Sequence, residues 1–160
     1  MTGTETQPTA SPTADREIVL TRTVNAPREL VWEAYTDEKH ITHWWGPRGF
    51  SITNQVMDVR VGGMWRFIMH GPDGTDWDNR VVYREIVRPE RLVWDHGSDK
   101  DDDPHAFHVT ITFTEQGGRT TVTQRMVMSS VEQREIAVGF GAVELGNQTL
   151  ARLGEYLATM

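Results

Sequence analysis

His96 and Glu144 are the two side chains of this sequence best placed for acid–base chemistry in apolar surroundings. His96 ends the run "RLVWDH", where alternation sets it on the same strand face as Trp94. Glu144 follows Phe140 by about one turn of a helical pattern. A buried carboxyl group close to an imidazole makes a general acid and base. The competing reading leaves Glu144 on the wet flank of its helix and His96 at a loop. Both readings stay open at this level.

The remaining reactive groups offer less. His40 and His43 share a helix face and, with Asp37 or Glu38, supply zinc-ligand chemistry, but spacing places no third ligand. His105 and His108 lie beside the acidic run Asp99-Lys100-Asp101-Asp102-Asp103, which reads as a solvated loop. His108 alternates in step with Thr110, Thr112 and Thr114, so it belongs on an outer face. No metal and no cofactor are expected. The chain has no Cys, which excludes disulfides, thiolate metal sites and a cysteine nucleophile. No serine sits on a nucleophile elbow, and Gly62-Gly63 lacks the strand-to-helix setting of a phosphate loop. With no complete catalytic set, binding without catalysis is the leading reading.

Elements must position these groups. The 160 residues, 38% hydrophobic and 24% charged, suit one globular domain with its own core. Residues 1–15 are rich in Thr, Pro and Ser and have no apolar stretch, so they read as a disordered tail and not a secretory signal. The net charge of −7, without a Lys/Arg cluster, argues against nucleic acid. No apolar run approaches the ~20 residues that span a bilayer. Together these features point to the cytoplasm.

From Glu17, "EIVLTRTVNA" reads as a strand. "PRELVWEAYTD" carries an i, i+3, i+4 stripe, and "EKHITHWW", capped by Asp37, makes a second short helix ended by Gly46-Pro47. The period then falls to two through "SITNQVMDV", "MWRFIMH", "NRVVYREIV", "RLVWDH", "FHVTITFT" and "TTVTQRMVM", joined by short turns. Ser129 and Glu132 form a capping box opening one long helix to Leu157, with Ile136, Phe140, Val143, Leu150, Leu153 and Leu157 on its apolar stripe. Four glycines interrupt it: Gly139, Gly141, Gly146 and Gly154. Each costs about 1 kcal/mol relative to Ala, so the helix either kinks or brings its backbone close to the sheet or a ligand.

This order resembles the Hsp90-ATPase-activator-homologue-like branch of the START/Bet v 1-like (SRPBCC) superfamily. The similarity rests on "NAPRELVWEAYTD", "WWGPRGF", "DVRVGGMWRF", "EIVRPERLVW", "VTITFTEQGGRTTVT" and "GNQTLARLGEYLA", in family order. The resemblance implies an α+β helix-grip domain over residues 16–160. A curved antiparallel sheet of six or seven strands would wrap a long C-terminal helix, with two short helices after the first strand. It also implies an apolar cavity between sheet and helix. Superfamily members bind lipids, sterols and polyketides there, and a minority are cyclases or hydratases.

The expected ligand is therefore small, largely apolar and lipid-, aromatic- or polyketide-like. Its expected contacts are Trp44, Trp45, Phe50, Phe67, Met69, Asn79, Tyr83, Trp94, His96, Met126, Phe140 and Glu144. Trp44 and Trp45 run into Gly46-Pro47, and two bulky neighbours suggest one ring turned inward and one at the cavity rim. The alternatives are a cyclase, dehydratase or hydrolase using the same cavity, and a chaperone-related or self-associating module, including a homodimer.

Overall fold

Alternating apolar residues draw seven segments into one antiparallel sheet. The computed structural model describes residues 12–160. The strands are β1 (Glu17–Val24), β2 (Ser51–Met57), β3 (Met64–His70), β4 (Asp76–Val87), β5 (Arg91–Ser98), β6 (Phe107–Gln116) and β7 (Arg119–Val127). Their order is β1-β7-β6-β5-β4-β3-β2, so β2 to β7 form a meander and β1 closes against the last strand. Register aligns Phe67 with Asn79, Val81 with His96, Trp94 with Val109, Val109 with Met126, and Met126 with Ile18. Cross-strand partners share a face, so these residues lie together on one side of the curved sheet.

That side carries the helices. α1 (Arg28–Thr36) buries Val31, Ala34 and Tyr35 of the expected stripe Leu30, Val31, Ala34 and Tyr35; Leu30 is half-buried, and Trp32, off that stripe, is buried as well. α2 (Glu38–Ile41) is a single turn capped by Asp37, whose carboxylate accepts from the Lys39 N–H at 2.9 Å. It is shorter than "EKHITHWW" suggests, because the chain leaves the helix before the tryptophans.

The single C-terminal helix expected from the sequence is two helices. α3 (Val131–Gly139) and α4 (Ala142–Leu157) meet at Phe140-Gly141. Gly141 sits at φ +87°, a left-handed conformation that glycine adopts without strain. The N-cap is Ser130, which accepts from Gln133 N–H at 3.0 Å, one residue beyond the expected Ser129 box. α4 buries Leu150, Leu153 and Leu157 and packs principally on β1. Gly146 explains that approach: a Cβ there would land on Leu20 Cδ1. The helix glycines therefore serve both expected purposes, a break at Gly141 and a close backbone contact at Gly146. The contact is with the sheet.

Most of the expected tail, residues 1–11, lies outside the described residues. From Thr13 the chain is held. The Thr13 hydroxyl donates to Glu17 at 2.6 Å, and Arg16 Nη1 donates to the Met128 carbonyl at 2.9 Å. The acidic loop after β5 is also more tightly held than a solvated run. Asp99 accepts from Arg66 and Arg80 at 2.7–3.0 Å, and the Arg66 guanidinium holds its carboxyl below the usual range.

Candidate functional site

Both tryptophans of the "WWGP" segment are buried, so neither stands at a rim. Trp44 is fully buried, its indole N–H donating to the Ala34 carbonyl at 3.0 Å and its ring edge-on to Tyr35 at 4.8 Å. Trp45 is 7% exposed and is the hub of the aromatic core, with Trp44, Trp65, Trp94, Tyr35 and Phe67 at ring-centroid distances of 5.1–6.5 Å. In the turn after α2 the N–H groups of both Trp44 and Trp45 donate to Ile41 O, and their side chains diverge. Here one direction meets α1 and the other meets the sheet, so the two rings need not share a face.

Arg152 of α4 organises the loop that follows. Its Nη1 donates to the carbonyls of Gly46, Pro47 and Phe50 at 2.8–3.2 Å, and Nη2 donates to His43 O at 3.3 Å. Desolvation lowers its pKa, the cost of surrounding a guanidinium with neutral carbonyls. Arg152 was not legible as functional, because its partners lie about a hundred residues away.

Beyond this plug, the helix side of the sheet stays partly open. Trp77 is 46% exposed although it shares a face with Met69, its cross-strand partner, and with buried Phe67. Phe50 approaches Trp77 at 6.0 Å. Met69, Phe107 and Gln124 are half-buried on the same face, and Met126 is nearly buried. Of the expected contacts, Phe50, Phe67, Met69, Asn79, His96 and Met126 gather here. Trp77, Phe107 and Gln124 were missed. Carrying the period of two back from Asn79 would have placed Trp77, but the strand was read only from "NRVVYREIV", after the turn "GPDGT".

The polar centre of this face is His96. Its Nε2 lies 2.9 Å from Asn79 Oδ1, and its ring contacts Phe107 at 4.9 Å and Phe67 at 5.9 Å. Burial among these rings holds the imidazole down at about 4, so it is neutral at pH 7.

The other expected residues lie elsewhere. Tyr83 and Trp94 are 1% exposed inside the core, and neither the Tyr83 hydroxyl nor the Trp94 indole N–H has a hydrogen-bond partner among the described residues. Phe140 is 80% exposed at the α3–α4 break, because the break turns its side chain off the expected stripe. Glu144 is exposed and accepts from Gln148 Nε2 at 3.3 Å, one turn along its own helix. No hydrogen bond joins it to His96, so the acid–base pair is not assembled.

The histidine pairs are also dispersed. His40 Nδ1 hydrogen-bonds the Tyr156 hydroxyl at 2.6 Å, and His43 stacks on the same ring. His108 lies on the outer face, 2.8 Å from Asp95. Among the described residues, no three His, Asp or Glu side chains converge as a metal-ligand set. A hollow of about 880 Å³ occupies that outer face. Its four arginines are already engaged: Arg16 with Met128 O, Arg80 with Asp99 and Asp101, Arg84 with Asp95, and Arg125 with Glu17. They leave little unsatisfied charge for a ligand.

The family model described as activator of Hsp90 ATPase homolog 1-like protein matches residues 25–158. A solution structure of a protein from Arthrobacter aurescens is similar at TM-score 0.85 and 22% identity, over 94% of this chain and 91% of that one. A crystal structure of a protein from Nitrosomonas europaea gives 0.82 and 24%, over 91% and 96%. The AHSA1 protein from Silicibacter pomeroyi gives 0.70 and 20%, over 89% and 98%. No curated protein matches the chain. At these identities the solved structures establish the helix-grip fold.

Proposed function

This chain belongs to the activator of Hsp90 ATPase homolog 1-like family of the SRPBCC superfamily, and on that premise we propose that it binds a small, largely apolar molecule between the concave face of the sheet and α4. The fold is generally a ligand-binding scaffold. One observation carries the reading: a large aromatic ring, Trp77, remains 46% exposed on the face that elsewhere forms the buried core. Half-buried Phe50, Met69 and Phe107 extend that surface. Covering it removes apolar area from water, worth about 25 cal/mol per Å². Phe67, Asn79, His96, Gln124 and Met126 complete the proposed wall. Trp45, Tyr83 and Trp94 support it from the core behind.

Catalysis has weaker support, since among the described residues no second acid or base is hydrogen-bonded to His96. The Cys-free composition suits the cytoplasm, and no helix among the described residues is long and apolar enough to cross a membrane. Titration with a neutral, environment-sensitive dye such as Nile red tests the proposal. Saturable one-to-one uptake by the native protein, reduced by Trp77→Ala, is expected. A wild type that takes up no dye and carries no co-purifying apolar molecule in native mass spectrometry would refute it.

A second reading has its own observation. Phe140 is 80% exposed beside Val143, Ile136 and Val138, all of them more than a third exposed. Such a patch suits self-association. Sedimentation of the wild type beside Phe140→Ser tests it: a dimer that the substitution dissolves is expected, and a monomeric wild type removes the reading.

A further inference from the structure

Resting on the ligand-binding reading above, we infer that the site selects a neutral ring compound bearing a hydrogen-bond donor, a phenolic hydroxyl or ring N–H, which it holds on His96 Nδ1. The argument begins at Asn79. Its Nδ2 donates to the Trp77 carbonyl at 3.1 Å. Flipping the amide would set Oδ1 against that carbonyl, two acceptors facing each other. Asn79 Oδ1 therefore faces His96, and at 2.9 Å it requires a proton on His96 Nε2.

A neutral imidazole protonated at Nε2 presents a lone pair at Nδ1. That atom has no hydrogen-bond partner in the described protein, and it is not among the sealed unpaired atoms, which are confined to Tyr35, Tyr83 and Trp94. Phe107 and Phe67 flank the ring, so a ligand reaching Nδ1 lies among aromatic faces. Asn79 is thus a positioning residue: through the tautomer it turns His96 into a fixed acceptor.

The same arrangement disfavours two other chemistries. A ring without a donor leaves Nδ1 unpaired when the site is covered. A carboxylate meets a lone pair, and would need His96 to take up a proton that its surroundings resist. Sites built to hydrogen-bond a ligand group discriminate strongly against analogues lacking it.

Three probes of one shape separate these cases: naphthol, its methyl ether and naphthoate, titrated calorimetrically into the full chain at pH 7. Naphthol is expected to bind about 5- to 10-fold tighter than the ether, as one hydrogen bond implies, with naphthoate weakest. In His96→Phe the naphthol-to-ether ratio should fall to near one while the ether keeps its affinity. Nitrogen NMR of the wild-type imidazole, which needs no variant, should show the Nε2-protonated neutral form and a shift of the Nδ1 resonance on naphthol addition. Equal binding of naphthol and ether, an Nδ1-protonated ring, or tighter naphthoate would overturn the inference while leaving apolar binding standing. If no probe binds and Nile red is also refused, both readings fall together.

Discussion

Removing Trp45 should unfold far more stability than removing Trp77, although both are tryptophans beside the same sheet. Trp45 is 7% exposed and edged by five aromatic rings. Large aromatic side chains bury about 150–250 Å², which at about 25 cal/mol per Å² corresponds to about 4–6 kcal/mol. The space left behind cannot collapse easily, because its walls are themselves large rings. Trp45→Ala should therefore cost about 4–5 kcal/mol, the upper end for aromatic-to-alanine changes in cores. Trp77, with 46% of its surface in water, should cost only about 2–3 kcal/mol by the same area argument. Urea unfolding followed by far-ultraviolet circular dichroism measures both without relying on the fluorophore being removed. Equal slopes across the variants would show that the unfolded states remain comparable. A loss below about 2 kcal/mol for Trp45→Ala, with Nile red uptake rising, would refute the plug and make Trp45 a gate.

Other expectations follow from single contacts. His96 titrates at about 4 in the folded chain against 6.5 normally, so the unfolded chain binds more protons between those values. Its contribution is full above about pH 6.5 and is lost as pH falls towards 4, by at most about 3 kcal/mol and less because the ring is partly exposed. Melts of wild type and His96→Phe across that range should diverge accordingly; parallel curves would mean a solvated imidazole. Arg152→Met should cost about 2–3 kcal/mol by stranding the carbonyls around Gly46 and Phe50. Arg152→Lys should restore less than half, since an ammonium cannot span the fork; full rescue in a urea melt would count against the clamp. Gly139→Ala, with nothing within 4 Å, should gain up to about 1 kcal/mol, whereas Gly146→Ala should lose about 1–2 kcal/mol through its clash with Leu20. The same sign in thermal melts of both variants would contradict that contact. Deleting residues 1–11 should leave the melting temperature within about 2 °C, while deletion through Arg16 removes the bond to Met128 O and should lower it by several degrees. A large drop from the shorter deletion would show that those residues are tied down.

Local pattern alone determined the strands and α1. The alternation in "MWRFIMH" and "FHVTITFT" specified strands because side chains on a pleated backbone must repeat every two residues. The stripe at Val31, Ala34 and Tyr35 specified α1 for the corresponding helical reason. Short turns between successive strands made the meander legible, and the quoted family stretches made the helix-grip arrangement legible. Within the candidate site, alternation alone put His96 beside Trp94 on the inward face. What the sequence left open depended on distances between residues far apart in the chain. Whether Trp44 and Trp45 were rim or core depended on having α1 on one side and the sheet on the other. Gly146 meets the sheet because α4 crosses β1 at Leu20, a contact spanning more than a hundred residues. Glu144 and His96 never meet because α4 turns Leu150, Leu153 and Leu157 inward and leaves Glu144 on its exposed side. The Asn79–His96 pair exists because the β4–β5 register sets a diagonal contact that no spacing within either strand encodes. Periodicity is a property of one segment; register, crossing angle and burial belong to two, and only the folded chain brings the second segment to the first.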